Sequence, residues 1–134
     1  MCNAYTEQAI ETSTAQGMSL LTAGTCICPG RQLVYECTVV GPSIQYTVWS
    51  GSALDCISGI SLRHGLFIDT GYANGTCNNG AVFARITSNT GGRYTSQLII
   101  NASLNFNGES IQCHFDDGLR ETLVNTSTIR IISG

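Results

Sequence analysis

Leu33-Val34-Tyr35-Glu36-Cys37-Thr38-Val39 alternates apolar and polar side chains. In an extended chain successive side chains point to opposite faces. Leu33, Tyr35, Cys37 and Val39 therefore share one face, and Glu36 and Thr38 lie on the other. Gly41-Pro42 ends the run, because neither residue continues a ladder. Two further runs have the same character: Tyr46-Thr47-Val48-Trp49 and Ser110-Ile111-Gln112-Cys113-His114-Phe115. Strands that are half apolar need a partner layer, so a sheet packed on a second sheet is the expected architecture.

Working outward, Met18–Leu21 is a short apolar run that reads as a first strand. Ala81–Ile86 is another, with Val82, Ala84 and Ile86 in phase. Asn89-Thr90-Gly91-Gly92 signals a hairpin into Arg93–Asn101, where Tyr94, Ser96, Leu98 and Ile100 alternate. Asn107-Gly108 turns into the Cys113 run, Asp117-Gly118 turns out of it, and Thr128–Ile132 reads as the closing strand. The span 50–80, rich in glycine, reads as irregular, and Ala102–Phe106 has room for one helical turn. Short strands punctuated by turns, with no competing amphipathic helix, predict an all-β antiparallel sandwich over 18–134. Residues 1–17 are polar and weakly periodic, and read as an N-terminal arm, flexible or held by a partner.

Seven cysteines in 134 residues point to an oxidising compartment. The chain carries a net charge of −3 and no lysine, and its six cations are scattered arginines. Binding to a phosphate backbone needs a basic stripe, so nucleic acid is excluded as the expected partner. Lysine is also a common guard of sheet edges, so these edges lack one protection against pairing with another chain. No segment approaches the ~20 apolar residues of a membrane-spanning helix. The opening residues have neither a basic nor an apolar signal region. Cysteine content and this opening together suggest an extracellular domain whose signal and any anchor lie outside this sequence.

Leu33-x-Tyr35-x-Cys37, Trp49, Leu98-x-Ile100 and Asn107-Gly108-Glu109-Ser110-Ile111-Gln112-Cys113 give this stretch a clear likeness. From Leu33 to Phe115 the chain resembles the immunoglobulin superfamily, in a variable- or intermediate-like form. The resemblance implies a two-sheet antiparallel sandwich with Cys37 bridged to Cys113 and Trp49 packed on the bridge. It implies a core of Leu33, Tyr35, Leu98, Ile100, Ile111 and Phe115, and extra strands between Trp49 and Ala81. Ile111 stands where the family usually has the tyrosine that locks its corner, so packing must hold that corner here. The implied work is extracellular recognition or adhesion.

Cys56 and Cys77 flank the irregular span and are expected to staple it. Cys2, Cys26 and Cys28 remain, with Cys2–Cys26 and Cys2–Cys28 both open. An odd count leaves a free thiol or an intermolecular bond. Cys26-Ile27-Cys28 lacks zinc-ribbon spacing, and His64 and His114 have no ligand spacing to it, so neither a metal nor a cofactor is expected. His64 reads as a surface or capped residue. No Ser/His/Asp or paired-carboxylate constellation is present in context, so no catalytic residue is assigned. Asn74-Gly75-Thr76, Asn101-Ala102-Ser103 and Asn125-Thr126-Ser127 are acceptor triplets for N-glycosylation, with Asn74 placed in a loop.

With Trp49 and Cys113 inward, Tyr46, Val48, Gln112 and His114 point outward. On adjacent strands they form one exposed face with the character of an interface. The expected function is a non-enzymatic recognition or adhesion module for protein or glycan partners, acting through this face and the 50–80 loop. The alternative is a subunit of an extracellular fibre or homo-oligomer, assembled by strand addition from the arm or by an intersubunit disulfide.

Overall fold

A computed structural model describes residues 16–22, 31–64 and 73–131 of the chain. The strands are β1 (Gly17–Leu20), β2 (Gln32–Val40), β3 (Tyr46–Ser50), β4 (Ile60–Arg63), β5 (Asn74–Cys77), β6 (Val82–Thr90), β7 (Arg93–Asn101), β8 (Ser110–Asp116) and β9 (Glu121–Thr128). They form two antiparallel sheets, one in the order β1-β2-β7-β6-β5 and the other β4-β3-β8-β9. The fold is an all-β sandwich.

The inner faces follow the alternation of the sequence. Leu33, Tyr35, Cys37 and Val39 of β2 are buried, as are Leu98 and Ile100 of β7 and Val82, Ala84 and Ile86 of β6. Trp49, Leu62, Ile111 and Cys113 answer from the second sheet. Phe115 packs on this core from a partly buried position. Each large aliphatic side chain removed from water contributes about 1.5–3 kcal/mol, and this burial is the main drive to the sandwich.

Two ties cross the sandwich side by side. Cys37 and Cys113 are joined by a disulfide across 76 residues. Trp49 is paired directly with Cys113 across β3–β8, and Ser96 with Cys37 across β2–β7. The Trp49 indole N–H donates to Ser96 Oγ at 3.0 Å, and both residues are fully buried. The hydrogen bond therefore joins the two sheets beside the disulfide. A third tie joins the Tyr35 hydroxyl to Ser127. Burial raises the Tyr35 pKa, and this hydrogen bond opposes the rise.

Gly91 and Gly92, at φ of 61° and 74°, make the turn between β6 and β7. Two consecutive positive φ values are what a tight two-residue hairpin of this hand requires.

Several expectations need correcting. The closing strand is Glu121–Thr128, not Thr128–Ile132. It lies at a sheet edge and is largely exposed, so it lacks the apolar alternation of a core strand. Ile129 and Ile131 are buried, but they are anchored to the turn before β8. The Ile129 N–H donates to Glu109 O (2.8 Å) and the Ile131 N–H to Asn107 Oδ1 (2.9 Å). Asn74 begins the edge strand β5 and does not lie in a loop. β1 starts at Gly17, inside the span assigned to the arm. The rest of that arm up to residue 15, with Cys2, and the Cys26-Ile27-Cys28 segment lie outside the described residues.

Candidate recognition face

β3 pairs with both β4 and β8, which sets the outward residues of the second sheet in rows. Tyr46 stands between Arg63 and Asp116, and Val48 between Ser61 and His114. β9 extends these rows, with Leu123 opposite His114 and Thr126 opposite Gln112. Tyr46, Val48, Gln112 and His114 therefore do share one face. Ser61, Arg63, Glu121 and Leu123 join it, and they escaped the sequence reading because β4 and β9 were not placed. The alternation Glu121-x-Leu123 was the available signal.

The face is less open at its centre than expected. Val48 is only 8% exposed. A short branched side chain on a central strand is shaded by longer side chains around it, here His114 directly across on β8. Tyr46, Gln112 and His114 are half-buried. The apolar surface offered to solvent is instead Leu123, at 49% exposure. His114 is fixed in place: its Nε2 lies 3.1 Å from Gln112 Oε1 and its Nδ1 3.5 Å from the Glu121 carboxylate. The Ser50 hydroxyl extends this row by donating to the same Gln112 oxygen (3.4 Å).

At one end of the sheet the β8–β9 turn is held by its own aspartates. Asp116 Oδ1 accepts from the Gly118 N–H (2.7 Å), and Asp117 Oδ1 from those of Leu119 and Arg120 (2.9 and 3.1 Å). The Leu119 and Arg120 amides hold the Asp117 carboxyl below its ordinary range.

At the other end Cys56 is bonded to Cys77, joining the β3–β4 connection to the end of β5. Asp55 and these sulfurs are close enough to hold a metal, but the sulfurs are spent on each other and offer no thiolate. Gly51 and Gly59 bracket that connection at φ of 118° and 69°. A Cβ at Gly59 would lie 2.1 Å from the Trp49 carbonyl oxygen, so only glycine fits there.

His64 is 7% exposed, not a surface residue. Its Nε2 lies 2.6 Å from Thr47 Oγ1, its ring packs at a tilt of 37° on Tyr94 of the opposite sheet with centroids 4.3 Å apart, and its Nδ1 has no partner among the described residues. Burial lowers its pKa to about 4. A depressed histidine pKa contributes stability that is present above the unfolded-state value of about 6.5 and lost as pH falls toward the folded value. The expected result is a loss of about 2 kcal/mol between pH 6.5 and 4, discounted for solvent screening at the end of the sandwich. Urea unfolding across this range measures it. His64→Gln, which can keep a bond to Thr47, flattens that part of the profile. An unchanged slope rules His64 out as its source.

Asn74, Asn101 and Asn125 are all exposed. Asn74 pairs with exposed Arg85, and Asn101 with exposed Gln32, which places both on the outer side of the five-stranded sheet. Asn125 sits at the bulge of β9. The chain matches no protein-family model and no curated protein sequence. The two disulfides fit an oxidising environment. No helix among the described residues is long and apolar enough to cross a membrane.

Proposed function

We propose that this chain is a non-enzymatic, secreted recognition domain of immunoglobulin-like type. It binds a protein or glycan partner through the outer face of the β4-β3-β8-β9 sheet. The observation that carries the reading is the composition of that face. Tyr46, His114 and Leu123 surround the shaded Val48 in one patch bordered by Arg63, Asp116 and Glu121. An apolar and aromatic centre with a polar rim is the anatomy of a protein interface. The acceptors Asn74 and Asn101 lie on the other sheet, so glycans there would leave this face clear.

The test is staining of cells by the tetramerised domain. Leu123→Arg and His114→Glu are expected to remove staining by at least tenfold, because a charge placed at an interface centre is stripped of water without a partner. Ile57→Arg, in the distant β3–β4 connection, is expected to leave it unchanged. Staining that survives both face substitutions excludes this face.

A second reading, a subunit of an extracellular assembly, draws on β9. This edge strand of eight residues carries no lysine and no proline to block pairing. Size-exclusion chromatography of the parent, a chain lacking residues 1–17, and Cys2→Ser separates the readings. A ladder that collapses on truncation supports strand addition. A monomer throughout supports recognition.

A further inference from the structure

The end of the sandwich stapled by Cys56–Cys77 holds an open cleft of about 350 Å³. It is distinct from the outer sheet face. Its walls come from the β3–β4 connection, the 3-10 turn Asn78–Gly80, and the β7–β8 connection with its own 3-10 turn, Leu104–Phe106.

The two sides differ in how their polar groups are used. On the first side they are engaged internally. The Ser110 N–H donates to Ser52 Oγ (2.8 Å), Asn78 Nδ2 donates to Ala53 O (3.0 Å), and Asp55 Oδ1 accepts from the Asn78 N–H (2.8 Å). The neighbouring disulfide fixes this wall further. On the second side the backbone is equally fixed. The Phe106 N–H donates to Ser103 O (3.1 Å), that of Glu109 to Phe106 O (3.1 Å), and that of Ile129 to Glu109 O (2.8 Å). Yet the Ser103 hydroxyl, the Asn105 amide and the Glu109 carboxylate make no side-chain hydrogen bond to another described residue. All three line the cleft. Their donors and acceptors stand unspent on a fixed backbone, so only side-chain rotamers, not the main chain, remain to be ordered when ligand arrives.

We infer that this cleft is a binding site for a neutral saccharide. The Glu109 carboxylate and the Asn105 amide oxygen accept from sugar hydroxyls, and the amide N–H groups and the Ser103 hydroxyl donate to sugar oxygens. Ala53, Ala81 and Phe106 add a small apolar floor against which the C–H groups of a sugar can rest. The cleft volume suits one or two sugar units. Glu109 is the only charged residue among the described residues that line it, so an anionic sugar or a phosphate finds no cation there to pair with. A single partly exposed carboxylate also holds an ammonium group weakly, whereas hydroxyls match the amide and hydroxyl beside it.

The experiment is an amide chemical-shift titration of the intact 134-residue chain with its disulfides formed. The probes are the methyl glycosides of glucose, galactose and mannose, N-acetylglucosamine, N-acetylneuraminic acid and lysine methyl ester. For a ligand this small, at least one neutral sugar is expected to saturate shifts at residues 52–53, 78–81 and 103–109 with a Kd on the order of millimolar. Asn105→Ala, which removes an exposed side chain with no internal bond, is expected to weaken this about fivefold, and Glu109→Gln about tenfold. N-acetylneuraminic acid is expected to give no shift there. The inference is overturned if no neutral sugar shifts these amides, if the shifts map elsewhere, if Asn105→Ala binds as the parent does, or if the acidic sugar or lysine ester binds in their place.

Discussion

Replacing Cys37 and Cys113 together by alanine is expected to lower the unfolding free energy by about 4–5 kcal/mol. The bridge closes 76 residues. Opening it returns to the unfolded chain the freedom of that loop, and the chain-entropy model assigns about 4–5 kcal/mol to a loop of this length. Domains of this size have a total stability of roughly 0.05–0.15 kcal/mol per residue, so the loss is a large part of the whole. The internal control is the second bridge. Cys56–Cys77 spans 21 residues, and the same model gives about 3 kcal/mol for its removal. Urea unfolding of both double variants gives the comparison. A smaller loss for the longer loop contradicts the prediction and moves the source of stabilisation from the unfolded chain to native packing.

Truncating Trp49 to alanine is expected to cost about 3–5 kcal/mol, because the indole is fully buried and the space it leaves cannot collapse between two hydrogen-bonded sheets. Trp49→Phe separates packing from hydrogen bonding. It keeps most of the ring volume but strands the Ser96 hydroxyl, itself 0% exposed, without its donor. That variant is expected to lose about 1–3 kcal/mol. Adding Ser96→Ala to Trp49→Phe is expected to restore part of the loss, since the stranded hydroxyl is then gone. A double-mutant cycle from denaturant unfolding measures the coupling. Strictly additive losses would show that the Trp49–Ser96 bond contributes nothing of its own.

The strands with one wet and one dry face were legible in the sequence. Leu33–Val39, Tyr46–Trp49, Arg93–Asn101 and Ser110–Phe115 alternate because each lies in the middle of a sheet, where the period of two is enforced by burial. Of the edge strands, β1 was legible from its short apolar run Met18–Leu21, but β4, β5 and β9 were not. β9 has a mostly exposed surface and a bulge at Cys113/His114 that shifts its phase, so the apolar Ile129–Ile132 stretch beside it read as the strand instead. β4 and β5 are four residues each, too short for a period to establish itself within a glycine-rich span.

The candidate sites divide along the same line. Alternation alone placed Tyr46, Val48, Gln112 and His114 on one side, since a side chain's face is a local property of its strand. How open that face is was not local. Val48 is covered by what β4 and β8 bring beside it, and Leu123 becomes the exposed apolar residue only once β9 pairs with β8. His64 gave no sign in sequence of its burial, because its Tyr94 contact comes from the other sheet. The cleft by Glu109 is assembled from three connections far apart in the chain. The sequence by itself determined the sandwich, its inward residues and the oxidising setting, because periodicity and cysteine content act over a few residues or over composition. Tertiary structure alone decided which side chains stay in water and which loops meet, because solvent access depends on neighbours that only long-range strand pairing supplies.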